Sequence, residues 1–303
     1  MRVWSGILAV VMLSVATWAQ DSGTRQIIPE EFVKARPGRP TAAPRRTPYR
    51  PVAGRQAQSP KPPSPDSMQL GLTIWRLRPA KAADSGARII VQHESDSEEW
   101  TPERVESTTP MRMGERIRFS FEAPQKGYLY VIDRERYLDG STGEPILIFP
   151  TTRTREGDNS VAPGRIIEIP GQDDRPNYFT LRQSSPNQVG ELLTVIVTPQ
   201  PLEGLVITNK AQTISNEQVS RWEKEWGAVT EKFELAGGAG KPWTRAEQEA
   251  GANATRQLTQ EDPGPQTIYR VASKPGAPLL VKVGLNYARA GAAAPRRKAT
   301  DRP

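Results

Sequence analysis

The chain has no cysteine and a single histidine, His93, in 303 residues. Absence of cysteine excludes disulfides, thiol catalysis, thiolate metal sites and a lipidated N-terminal cysteine. A lone histidine cannot build a histidine metal cluster, and there is no G-x-S-x-G elbow, Gly-rich phosphate loop or H-E-x-x-H motif to set beside it. In "IIVQHESDSEEW" it reads as a surface residue at a strand end. The apolar run at the start, "VWSGILAVVMLSVATWA", is shorter than the roughly 18 to 20 residues that span a bilayer. With Arg2 before it and small Thr17 and Ala19 at its end, it has the pattern of a signal peptide over residues 1–19. The expected location is therefore outside the cytoplasm, periplasmic or extracellular.

Charge is present but unevenly placed. Of the formal +7, residues 20–69 hold nine Lys/Arg against four Asp/Glu, and the tail 288–303 holds five against one. Residues 70–287 hold 26 against 29, so the part expected to fold is nearly neutral. The stretch "RPGRPTAAPRRTPYRPVAGRQAQSPKPPSP" has almost no aliphatic side chains to offset the roughly 1 to 2 kcal/mol per residue of backbone ordering. Its prolines favour extended chain. Residues 20–69 are thus expected to be a disordered Pro/Arg-rich linker, of which 36–65 alone would span on the order of 100 Å or more when extended, and residues 288–303 a disordered basic tail. Cationic arms outside the cytoplasm suit anionic membrane surfaces, envelope polymers or acidic proteins. Nucleic acid is not expected, because basic and aromatic residues do not interleave as stacking platforms would require.

Between the tails the pattern changes to short apolar runs separated by turn residues. In Glu115–Ala123, Ile117, Phe119 and Phe121 alternate with Arg116, Arg118 and Ser120, as a half-buried strand requires. Many such runs and few helical ones predict an all-β fold: an antiparallel β-sandwich or barrel-like module over residues 70–287. One amphipathic helix is expected within a helical insertion at 215–260. Ser215 and Gln218 form a capping-box pattern, Gly237 and Gly238 a stop, and Val219, Trp222, Trp226, Val229 and Phe233 one apolar stripe packed on a sheet face. The following segment, from Thr244, lacks such a face and is expected to be a loosely held helix or loop. A closing hairpin at 266–287 turns around "SKPGA".

Carboxylates are the remaining route to chemistry. Asp133, Glu135 and Asp139 lie in "VIDRERYLDGSTGEP", where Arg134 and Arg136 are expected to hold the acids ionised in a solvated hairpin connection. Leu138 stands where an EF-hand loop needs glycine. Gly157, Asp158 and Asn159 form a polar knot between two strand-like runs, a turn that sets register between them unless Asp173 and Asp174 join it as oxygen ligands.

The ordered set Gly114–Arg118, Gly127–Tyr130, Phe149 with Pro150, Gly157–Asn159, Glu168–Pro170 and Val195–Leu202 resembles the bacterial family known as domain of unknown function 4384, over about residues 70–205. The resemblance implies a compact β-rich module, one often joined in other proteins to kinase, caspase-like or envelope domains, with no established reaction. It supplies no catalytic, cofactor-binding or metal residues. The expected function is an exported, non-enzymatic module that binds an envelope component or partner protein without a cofactor. Two alternatives remain: a carboxylate-dependent hydrolase of envelope glycans using Asp133, Glu135 and Asp158, and a calcium-stabilised adhesion module.

Overall fold

The computed structural model describes residues 32–38, 49–52, 67–84, 86–92, 97–252 and 256–288. The expected signal peptide, His93, most of the 20–69 segment and all of the basic tail after Ala288 lie outside them. Fifteen strands form two antiparallel sheets. The nine-stranded sheet is built on β2 (Met68–Pro79). On one edge of β2 lie β14 (Thr267–Val271) and, further along, β4 (Ser97–Val105); on the other lies β5 (Arg116–Glu122). Beyond β14 come β13 (Thr230–Leu235) and β1 (Tyr49–Pro51). β3 (Ile89–Gln92) flanks β4, while β9 (Ile166–Ile169) and β10 (Phe179–Thr180) flank β5. The six-stranded sheet runs β12 (Gln212–Thr213), β7 (Ile146–Phe149), β6 (Gly127–Tyr137), β11 (Gln188–Thr198), β15 (Leu279–Asn286), with β8 (Ser160–Val161) on the start of β6.

The core between the sheets follows from strand alternation. Leu70, Leu72, Ile74, Phe119 and Phe121 from one sheet meet Leu129, Val131, Val195, Val197, Val281 and Val283 from the other, all fully buried. Complete burial of each such side chain contributes about 1.5 to 3 kcal/mol, so this layer explains the alternation of Ile117, Phe119 and Phe121 along β5. The architecture is the expected all-β sandwich.

Several expectations change in detail. The helix α1 (Asn216–Trp226) begins as anticipated, with the Gln218 amide donating to the Ser215 hydroxyl at 3.1 Å. It stops at Gly227, not Gly237, because Gly227 turns into extended backbone where a Cβ would strike the Glu223 carbonyl. Val219, Trp222 and Trp226 pack on the outer face of the six-stranded sheet against Tyr130, Ile132 and Ile196. Val229 is exposed, and Phe233 belongs to β13 in the other sheet. The 3-4 spacing therefore ran across two elements. Nor is 266–287 a hairpin: β14 sits between β13 and β2, β15 beside β11, so the "SKPGA" turn carries the chain from one sheet to the other. A second helix, α2 (Arg245–Gly251), is firmly held where a loose segment was expected, with a complete capping box between Thr244 and Glu247.

The largest correction concerns the N-terminal segment. Parts of the expected free linker are packed on the outer face of the nine-stranded sheet. Phe32 is buried with Tyr49, Phe233 and Ile268. The Arg36 guanidinium makes two 2.7 Å bonds to Glu122 and donates to the carbonyls of Thr259, Asp262 and Pro263. Tyr49 donates to the Pro265 carbonyl at 2.5 Å, and β1 pairs with β13. Composition failed here because few apolar residues suffice when a sheet face waits to be covered.

Breaking a buried ion pair strands a charge, at a cost of about 3 to 5 kcal/mol. Arg36→Ala is therefore expected to lower unfolding stability by that order in urea titration. An unchanged midpoint would show that the segment is not part of the folded unit.

Candidate functional site

Two polar groupings stand out, at different ends of β6. The first is a cleft of about 440 Å³ bounded by the 152–158 loop, Arg165, the 171–174 loop, and Gly251 with Ala252 at the end of α2. The polar knot forms one wall. Three successive residues, Arg155, Glu156 and Gly157, adopt left-handed backbone with φ of 54°, 56° and 85°. That region is uncommon for residues other than glycine. The conformation is held from both sides: the Thr154 hydroxyl donates to Asp174 at 2.6 Å, and the Asp158 amide to the Arg155 carbonyl at 2.9 Å. The Asn159 side chain anchors the loop to β6 by donating to the Leu129 carbonyl at 2.9 Å.

The knot does not set register between neighbouring strands. β7 pairs with β6 in one sheet and β9 with β5 in the other, so residues 150–165 bridge the two sheets, pausing at β8. Asp173 and Asp174 do reach the same cleft as Asp158. The oxygens are already engaged, however: Asp158 accepts from Arg165 and from the Ser160 amide and hydroxyl, and Asp174 from Thr154 and the Gly171 amide. Among the described residues no group of three or more His, Cys, Asp or Glu side chains is placed to hold a metal ion.

Arg155 is the unusual member. Its side chain is 6 % exposed, its Nε has no partner among the described residues, Nη1 lies 3.4 Å from the Ile166 carbonyl, and Nη2 is 3.8 Å from Asp158. Burial and the neighbouring Arg165 lower its pKa. Asp158 is held below the usual carboxylate range: burial opposes ionisation, but the Ser160 bonds and Arg165 outweigh it.

The second grouping closes one end of the inter-sheet core. Asp133, Glu135 and Tyr137 follow Leu129 and Val131 on the same face of β6, and Glu191 of β11 stands opposite Glu135. Tyr137 donates to Glu135, and Tyr287 and Gln188 donate to Glu191. Asp133 and Glu135 are thus strand residues, not loop residues. Arg134 and Arg136 project from the opposite face, since successive strand side chains alternate, and are not placed to pair with the acids as expected. Burial pushes Asp133 up to about 6, helped by Glu135. Burial, with the charge of Asp133, pushes Glu191 up to about 8. Asp139 alone behaves as expected, accepting from the Ser141 amide and hydroxyl in an exposed turn. Sequence reasoning missed Glu191, Tyr287 and Arg155; an acid inside the strand run "ELLTVIVTP" was the available signal for the first.

The three hydrolase candidates do not converge. Ser160, two residues from Asp158, pairs with Tyr128. Asp133 lies further along the same strand by roughly 17 Å at 3.4 Å per residue, well beyond the about 5 to 9.5 Å between paired glycosidase carboxylates. Asp133 and Glu135 alone are close.

Acids with raised folded-state pKa values bind protons more tightly folded than unfolded. Stability is therefore expected to fall as pH rises from about 4 to about 8 and then to level off. Glu191→Gln should remove the upper part of that decline and Asp133→Asn the lower, read as melting temperature against pH. A profile identical in the variants would refute the assignment. Within the cleft, a Cβ on Gly157 would lie 3.2 Å from Ile207 in backbone that disfavours side chains. Gly157→Val and Asn159→Val are expected to cost about 1 to 3 kcal/mol each. Asp158→Asn, at a 46 % exposed side chain, should cost under about 1 kcal/mol with or without calcium. A large calcium-dependent loss would identify a metal site.

No curated protein and no solved structure matches the chain. One family does: residues 111–201, which contain the knot, Arg155, Asp158 and the core strands β5, β6 and β11, match the family described as Domain of unknown function (DUF4384), a narrower span than the expected 70–205.

Proposed function

We propose that the protein is an exported, non-enzymatic β-sandwich module that binds a cell-envelope component or a partner protein, with the 152–174 cleft as its binding surface and its basic segments as a tether. The observation that carries this reading is the guanidinium of Arg155, buried in the wall of a polar cleft and short of partners. A buried donor without a partner costs roughly 1 to 3 kcal/mol and is tolerated where a ligand completes it. The signal-peptide pattern at residues 1–19 and the basic bias of the tails support the compartment and the tether. Phe32, Arg36 and Tyr49 hold parts of the N-terminal segment against the sheet, so the basic stretch does not act as one free arm over residues 20–69.

A hydrolase remains the second reading, favoured by the raised Glu191 beside Asp133 and Glu135, since a carboxyl kept protonated near neutrality can serve as a general acid. Unchanged turnover on a glycan panel after Glu191→Gln with Asp133→Asn and Glu135→Gln would remove it.

The binding reading is tested by incubating the chain with cell-wall sacculi, anionic vesicles and envelope extract at low salt. Retention on one of them, reduced at least fivefold by Arg155→Gln, is expected. Failure of all three to retain the wild type would overturn it.

A further inference from the structure

We propose that the cleft is an oxyanion site, receiving a single carboxylate or phosphate group of its ligand on the guanidiniums of Arg155 and Arg165. The inference rests on the cleft being the binding surface and adds the chemistry of what it takes.

Arginine presents five donors in a planar fork that matches the paired oxygens of a carboxylate or phosphate. At Arg155 that fork is nearly unused. Its side chain is 6 % exposed, so water does not satisfy it freely, yet its protein contacts are a 3.4 Å approach to a carbonyl and a carboxylate at 3.8 Å. Arg165 beside it binds Asp158 and, at 2.6 Å, the Ser160 hydroxyl, leaving its Nε without a partner. Arg153, on the same wall, donates among the described residues only to the Arg175 carbonyl. Asp158 thus acts as an internal stand-in for the ligand. It lies close enough to hold Arg165 but too far to bond Arg155.

The rest of the lining limits which oxyanions fit. Glu156, Asp173 and Asp174 also border the cleft, and Glu168, committed to Arg118 at 2.7 Å, adds its field to Arg155 from below. A densely charged polyanion would meet these carboxylates as repulsion. A ligand carrying one oxyanion among neutral or cationic groups would not. The left-handed backbone at Arg155 and Glu156 contributes by turning the loop so that the Arg155 side chain lies beneath it.

The test uses the full chain and two probes, inorganic phosphate and acetate, each titrated at fixed ionic strength with chloride as the control anion. Binding is read by nuclear magnetic resonance of the arginine Nε–H signals. A saturable shift of the Arg155 signal with phosphate or acetate, absent with chloride, is expected, and the probe that binds tighter names the source of the oxyanion. Arg155→Gln should weaken binding about tenfold or more, and Arg155→Lys, which keeps charge but loses the fork, by several-fold. Asp158→Asn removes the internal competitor and should tighten it about threefold or more. No saturable shift in the wild type, undiminished affinity in Arg155→Gln, or tighter binding of tripolyphosphate than of phosphate would each overturn the inference. Retention on an envelope fraction without any phosphate or acetate binding would overturn the oxyanion site while leaving the binding module intact.

Discussion

The face of β5 that looks away from the core carries Arg118, Ser120 and Glu122, and all three are buried. Much of the outer architecture can be understood as the means of satisfying that strip. Arg118 takes Glu168 from β9, Glu122 takes Arg36 from the N-terminal segment, and Ser120 accepts from the indole of Trp75 at 2.6 Å. A further charge nearby, Arg104 of β4, takes Glu247 of α2. The Arg36 and Glu247 pairs tie the N-terminal segment and α2 to the sheet, and each would leave an isolated charge in a low-dielectric setting if its segment lifted away. The apolar clusters around Phe32, Trp243 and Leu258 then fill the space between the pairs. The covering layer is specified by charge and filled by hydrophobic contact, the reverse of the order within the sandwich.

That inversion explains which features were legible in the sequence. Strand existence, the all-β class and the start of both helices follow from alternation and capping, which are local. Alternation also assigns Arg118, Ser120 and Glu122 to one face. What it cannot say is whether that face meets water or another layer, because the residues that cover it come from positions 32–38 and 243–265, far along the chain. The same limit applies to β14 and β15: the seven residues between them suggested a hairpin, but the partners that each strand prefers, β2 and β11, are distant. The apolar stripe of α1 misled for a different reason. Helical spacing carried on by chance through Gly227, whose extended backbone ended the helix.

The acids on β6 show a case where the information was present and a rule of alternation would have extracted it. Arg134 and Arg136 are adjacent in sequence to Asp133 and Glu135 but on the opposite side of the strand, so adjacency says nothing about charge pairing. Glu191 could be placed beside them only once β11 was known to pair with β6. Arg155 was hidden more deeply. In sequence it is one arginine in an exposed-looking polar loop, and only the left-handed turn that follows Thr154 tucks it beneath the surface.

The segment that links β7 to β9 passes from one sheet to the other, and the cleft lies along that crossing. A ligand seated there would touch residues rooted in both halves of the sandwich, including the end of α2. Occupancy would therefore act as a clasp across the module. Pulling the two sheets apart, whether by heat or by mechanical load carried through a tether, would become harder when the cleft is filled.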